Sequence, residues 1–243
     1  MSSLDKPPPS PVRALSSELL THGKLLGGFV GFLWVVELVN AFVFGGALSN
    51  LGIHPRSVFG LFGILLAPLL HGSIAHLVGN TLPLLVLGWF VMLRRKRDFL
   101  YVSLLSTLVG GLGTWLIAPG NTVHVGASIL IFGYLGHLLS RGIFERRFWP
   151  IVGSVIVFFL YGGALFGVLP GQEGISWQGH LFGFLGGVLA ARMLGGARPE
   201  TAAKQPAAPK RFAPAPAIPA PRAAAPASDE DIEEELARLR SKL

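Results

Sequence analysis

Apolar residues in this chain run in long uninterrupted stretches rather than in the one-sided pattern of helices that face water. The first stretch extends from Leu25 to about Ser49, some 25 residues. At roughly 1.5 Å per residue, a helix of that length crosses a hydrocarbon core of about 30 Å. Five further stretches follow at roughly 72–93, 99–118, 126–140, 148–168 and 177–196. The pattern therefore predicts an all-α, polytopic membrane fold, with a six-helix membrane domain over 25–196. The 126–140 stretch is the short one, about 22 Å as a helix, so its outer end should begin below the membrane surface.

Polar and proline-rich segments flank this domain. Residues 1–24 carry prolines at 7, 8, 9 and 11 with little periodic apolar content, which predicts a flexible arm. The apolar run after it is too long for a signal peptide and lacks a small-residue cleavage site. Residues 197–227 hold eight prolines among alanines and read as a disordered linker. At 228–243, Ser228 and Asp231 form a capping pattern, and Ile232, Leu236, Leu239 and Leu243 recur at helical spacing. Acidic residues from Asp229 to Glu235 precede Arg238, Arg240 and Lys242, matching the helix dipole. This short acidic amphipathic helix is expected either to stay solvated with no partner or to offer its face to a cytoplasmic protein or to self-association.

Basic residues set the orientation. Arg94, Arg95, Lys96 and Arg97 follow the second stretch, Arg141, Arg146 and Arg147 follow the fourth, and Arg192 and Arg198 close the sixth. Positive residues favour the cytoplasmic side, so these loops and both termini are expected there, in a multi-pass protein of the cell membrane. Arg56 alone falls on the outer side. The net charge of +7 and pI near 10.2 then reflect membrane orientation, and no nucleic-acid partner is expected. With 51% hydrophobic and 14% charged residues, the composition excludes a water-soluble enzyme. The 32 glycines predict close helix packing, and the lack of cysteine excludes disulfides and thiolate chemistry.

Polar residues inside such stretches are costly and need a reason. Ser128 stands at the outer start of the short fourth stretch, where free backbone N–H groups and the positive dipole end can stabilise an oxyanion. His180 lies three residues into the sixth stretch at matching depth. Gly179, Gly183 and Gly187 on that stretch, with Gly133 and Gly136 on the fourth, let the two helices approach. A serine and a histidine that meet there form a nucleophile and its base. His76 and Asn80 share one face of the second stretch, whereas His71 belongs to the turn entering it. These three side chains can donate hydrogen bonds to a developing oxyanion. A metal site from His71, His76, His124 and His180 is the weaker reading, because no HExxH pattern, no cysteine and no outer-half carboxylate accompanies them. Nor does any acid stand ready to orient His180, so a dyad is the economical arrangement. Glu37 and Asn40, three apart in the first stretch, are expected to bond between helices.

Together these residues resemble the rhomboid family of intramembrane serine proteases over about 27–196. The carriers are His71-x4-His76-x3-Asn80, Gly126-x-Ser128 and His180-x2-Gly183-x3-Gly187, in the family's order and on one side of the membrane. The resemblance implies cleavage of single-pass membrane proteins in or beside their spanning helices, without a cofactor. It implies Ser128 as nucleophile, His180 as general base and acid, His76 and Asn80 as oxyanion donors and His71 in support. Two departures stand out. Ile129 follows the nucleophile where the family usually has glycine, which predicts a tighter turn or narrower access beside Ser128, and the usual Trp-Arg pair of the first outer loop is reduced to Arg56. The alternatives are a non-catalytic rhomboid-like protein that binds membrane helices, and a histidine-based transporter, which would need inverted repeats or broken helices.

Overall fold

The computed structural model describes residues 11–172, 174–195 and 229–242. The prolines before Pro11, Glu173, the proline-rich linker, Ser228 and Leu243 lie outside the described residues. The described chain forms two units. One holds α1 (Pro11–Phe42), α2 (Val58–Leu66), α3 (Ile74–Met92), α4 (Lys96–Ile117), α5 (Ser128–Glu145), α6 (Phe148–Tyr161) and α7 (Trp177–Leu194), with 3-10 turns at Ala47–Leu51, Ala67–Leu69 and Gly162–Val168. The other contains α8 (Asp229–Arg240).

The hydropathy reading is corrected at the end of α1, which stops at Phe42 and not near Ser49 because Gly45 and Gly46 turn the chain at positive φ. It differs in two other places. The arm expected to be loose up to residue 24 is helical from Pro11 onward. Proline suits the first helical position, and residues 12 to 22 contain neither proline nor glycine to stop the helix. The resulting 32 residues span about 48 Å, longer than the hydrocarbon core. Its inward face, Leu26, Val30, Leu33, Glu37 and Asn40, is buried and turns from apolar to polar toward one end. The second difference is α2, an apolar helix folded into the connection between α1 and α3. Gly60 and Gly63 let it lie against the backbone of Gly52–His54, where a Cβ on either would collide.

Four segments are long and apolar enough to cross a membrane, Ser16–Phe42, Ile74–Met92, Lys96–Ile117 and Phe148–Val168. Among the described residues, these four of the six expected spans pass on length and composition alone. The remaining pair, α5 and α7, has 18 residues each and forms the protein-enclosed centre of the bundle. Their glycines interlock: the Cα of Gly187 sits on the Gly133 carbonyl, and that of Gly136 on the Phe184 carbonyl, with no room for a side chain. α4 closes on the same pair through Gly110, which faces Ile129, and Gly113, which faces Phe182. Away from the site, Arg94 pairs with Glu145 at 3.4 Å and Asp98 at 3.6 Å and donates to the Leu194 carbonyl at 2.7 Å. That cluster ties the α3–α4 turn to the C-terminal ends of α5 and α7.

Candidate active site

At the opposite end, one cavity of about 710 Å³ is bounded by Ser128 and Phe132 of α5, His76 and Asn80 of α3, and His180 of α7. Ser128 is the first residue of α5, preceded by Ala127 with no side-chain cap. The first N–H groups of a helix have no intrahelical acceptor. Leu130 and Ile131 N–H both turn to the Ala127 carbonyl, while the Ser128 N–H has no backbone acceptor among the described residues. The serine hydroxyl therefore stands beside its own unpaired amide.

Gly126 adopts φ +125°, a backbone state that side chains rarely tolerate, and a Cβ there would come within 2.6 Å of the His76 ring. The glycine two residues before Ser128 thus serves both the turn and the close approach of His76. The rest of this loop is fastened at three points. Ile53 and His124 exchange backbone hydrogen bonds of 2.9 and 3.0 Å, Gly126 N–H donates to the Ala67 carbonyl at 2.8 Å, and Ala127 N–H donates to His71 Nε2 at 3.3 Å. The structure of the connecting loops, and not α5 alone, positions the hydroxyl.

His180 stacks on Phe132, one turn along α5 from Ser128, with ring centroids 4.0 Å apart and planes 11° apart. Its Nδ1 lies 3.0 Å from the Gly167 carbonyl. A carbonyl only accepts, so Nδ1 carries the proton and the neutral ring presents Nε2 as a lone pair. That is the tautomer a general base requires, and a backbone carbonyl does the orienting that an aspartate performs in a triad. No hydrogen bond joins Ser128 to His180 among the described residues.

Asn80 is buried, and its Nδ2 has no partner among the described residues. An unsatisfied amide donor at a cavity wall is costly unless a ligand or water completes it. His71 behaves differently from its neighbours. It lies outside α3, in the turn as expected, is fully buried, and stands behind His76 with ring centroids 5.2 Å apart. Burial, with a smaller contribution from His76, holds its pKa down at about 4, so the ring is neutral and its Nε2 can accept from Ala127. It braces the loop before Ser128 and is not among the residues that line the cavity.

Ile129 also points elsewhere. It is buried and seats its side chain between Gly110 of α4 and Gly183 of α7, 2.5 Å and 3.2 Å from where their Cβ atoms would be. The narrowing expected beside Ser128 does not occur, because two glycines on neighbouring helices make a notch for the branched side chain. The bonding expected between helices falls to Asn40, whereas Glu37 bonds Asn40 within α1 itself. Asn40 Nδ2 lies within 3.4 Å of Glu37 Oε2, Ser49 Oγ and the His71 carbonyl, and Asn40 Oδ1 accepts from Leu48 N–H. The Ser49 hydroxyl donates to the same His71 carbonyl at 2.8 Å. α1 thereby holds the turn that carries His71. Arg56, in the connection between α1 and α2, donates to the Ala118 carbonyl at 2.6 Å and closes the C-terminal end of α4.

One residue with a defined place near the site was not singled out for this role by sequence reasoning: His124, whose ring is bonded to Thr122 and Ser176. Nothing in its local pattern could have shown that contact, since Ser176 is 52 positions away. Among the described residues, no three histidine, aspartate or glutamate side chains are grouped closely enough to hold a metal ion.

Fold and site define a multi-pass helical membrane protein whose serine, histidines and asparagine converge on one cavity. Residues 58–197 match the Rhomboid domain, and the chain belongs to the rhomboid family. An uncharacterised protein of Mycobacterium tuberculosis is 46% identical over 184 residues, covering 72% of this chain and 75% of its own. A second, from Mycobacterium leprae, is 43% identical over 187 residues, 74% of each chain. The rhomboid protease GluP of Bacillus subtilis is 34% identical over 134 residues, 54% of this chain and 26% of its own.

Proposed function

We propose that this protein is an intramembrane serine endopeptidase acting through a Ser128–His180 dyad. The observation that carries the reading is the His180 tautomer: with Nδ1–H committed to the Gly167 carbonyl, Nε2 is free to take the Ser128 proton in a shared cavity. Ser128 Oγ would attack the scissile carbonyl. The resulting oxyanion would be held by the Ser128 amide, Asn80 Nδ2 and His76. His180 would then hand the proton to the leaving amine, and water would release the acyl group by the same steps in reverse order.

The substrate class follows from the cavity. Beyond the polar end it is walled by Pro83, Leu87, Ile131 and Leu135, which suits an apolar segment. Carbonyls in a regular helix are already bonded and shielded, so the segment must loosen before Ser128 can reach it. Single-pass membrane proteins with easily unwound helices fit this requirement. The basic residues favour termini in the cytoplasm and a site open to the outer side.

Labelling of the purified protein in detergent with a fluorophosphonate probe tests the chemistry. Wild type is expected to be labelled and to cleave a transmembrane peptide, whereas Ser128→Ala and His180→Ala do neither while keeping the wild-type melting profile. Undiminished cleavage by either variant rejects the dyad. A folded wild type that takes no label points to a helix-binding protein without catalysis.

A further inference from the structure

We infer that His124 is a positioning residue that locks the Ser128 loop to the helix end carrying His180; this rests on the reading of those two residues as the dyad. Thr122 Oγ1 donates its one hydrogen to the Pro119 carbonyl at 2.6 Å. His124 Nε2, 2.7 Å from the same hydroxyl oxygen, must therefore be the donor in that pair. Nδ1 is then a lone pair and accepts the Ser176 hydroxyl at 2.7 Å. Ser176 in turn caps α7: its oxygen accepts Gly179 N–H at 3.3 Å, and its carbonyl accepts His180 N–H at 3.0 Å. His124 stands four residues before the nucleophile, so a single imidazole spans from one half of the dyad to the other. Burial pushes the His124 pKa below its ordinary value, which keeps the ring in the neutral form this bonding needs.

The test compares His124→Phe, which keeps a ring of similar size without its nitrogens, with Ser176→Ala, and with His124→Asn, which keeps an acceptor near Nδ1. His124→Phe and Ser176→Ala should each lower kcat about tenfold or more with little change in KM, as expected for misplaced reacting groups. The double variant should be no worse than the poorer single one, and His124→Asn should recover most of the rate. Hydrogen exchange gives a readout independent of catalysis: amides of 122–127 and 177–180 should exchange faster together in His124→Phe. Unchanged exchange, or losses in kcat that multiply in the double variant, overturns the inference. Coupled exchange in a chain that never labels at Ser128 would uphold the lock and reject only the protease reading.

A separate observation concerns α8. Ile232, Leu236 and Leu239 are exposed along one face at spacings of four and three, flanked by Glu233 and Glu235 toward one end and by Arg240 and Lys242 toward the other. We propose that this face pairs with a second copy of itself in antiparallel register. Setting Leu236 against Leu239 of the second copy brings Glu233 opposite Arg240 and Glu235 opposite Lys242, each twice by symmetry. A parallel pair would instead crowd the acidic ends together. A helix of 12 residues is marginal alone, but two chains confined to one membrane meet at high effective concentration.

The chain has no cysteine, so full-length protein with Ala237→Cys can be crosslinked cleanly in liposomes. Crosslinking should be lost with Arg240→Glu and restored when Glu233→Arg is added to the same chain, because the antiparallel partner exchanges both charges. A parallel pair would set residue 235 against residue 240 and would not be restored. Failure to restore, or no crosslink in the parent, rejects the proposal.

Discussion

Two consecutive helices, α5 and α6, are built of opposite material. α6 is the more apolar, yet of its residues only Val157 is buried. α5 carries serine, histidine, arginine and glycine, and most of its length is buried. In water the apolar helix would be inside; here lipid takes that role for α6, and the protein interior is where polar chemistry can be kept. The glycines make the same division. Gly133, Gly136 and Gly142 of α5 and Gly183, Gly186 and Gly187 of α7 touch neighbouring backbone, whereas Gly23, Gly27 and Gly31 of α1 and Gly153 of α6 have nothing within 4 Å of where a Cβ would stand. One residue type serves contact in the centre and leaves open surface at the rim.

The sharpest way to break that contrast is to add a methyl group in the centre. Gly187→Ala drives a Cβ into the Gly133 carbonyl, a backbone atom that cannot swing aside. Overpacking of this kind costs about 3 kcal/mol. Denaturant unfolding in detergent should show that loss. A variant as stable as wild type would mean that α5 and α7 are not held at this distance.

Ile129→Ala probes the same centre by removal. The side chain fills the notch between Gly110 and Gly183, so truncation should cost about 2 kcal/mol. Because Ile129 does not face the cavity, Ser128 labelling should persist once the protein is folded. Loss of labelling at full stability would return Ile129 to the catalytic surface. Asn40→Ala stands between the two regions, on the inward polar face of a rim helix. It removes the partner of Leu48 N–H and one of those at the His71 carbonyl, for a loss of about 1.5 kcal/mol. The melting temperature should fall, and the amides of 71–73 should exchange faster.

This division also governs how much could be read from sequence. Hydropathy reports lipid contact, so it located α3, α4, α6 and the middle of α1, read α5 as a short run and read α7 as an ordinary apolar stretch. Ser128, His180 and Asn80 were legible because a polar residue in an apolar run has few uses. The start of α1 at Pro11 was missed because hydropathy falls where the helix leaves the apolar layer, although the helix does not. α2 was missed because its apolar residues sit in a segment too short to span. The seat of Ile129, the brace from His71 to Ala127 and the His124–Ser176 bond depend on residues far apart in the chain, and no local pattern encodes them. The Gly-x-Ser motif was visible as spacing; that Gly126 makes room for His76 was not.

The smallest effect belongs to the rim. Gly27 lies on the exposed side of α1, within a long helix where glycine is a poor former and a methyl group meets no atom. Gly27→Ala should therefore change stability by only about 0.5 kcal/mol, in the stabilising direction, by restricting the unfolded chain and favouring the helix. The sign matters more than the size, since the same substitution at Gly187 is expected to act in the opposite direction. Measured side by side in one detergent, the two variants differ only in what surrounds the added carbon. If Gly27→Ala destabilised by more than about 1 kcal/mol, this face of α1 would have to be packed against another surface, and the division between a contact-making centre and an open rim would fail at α1.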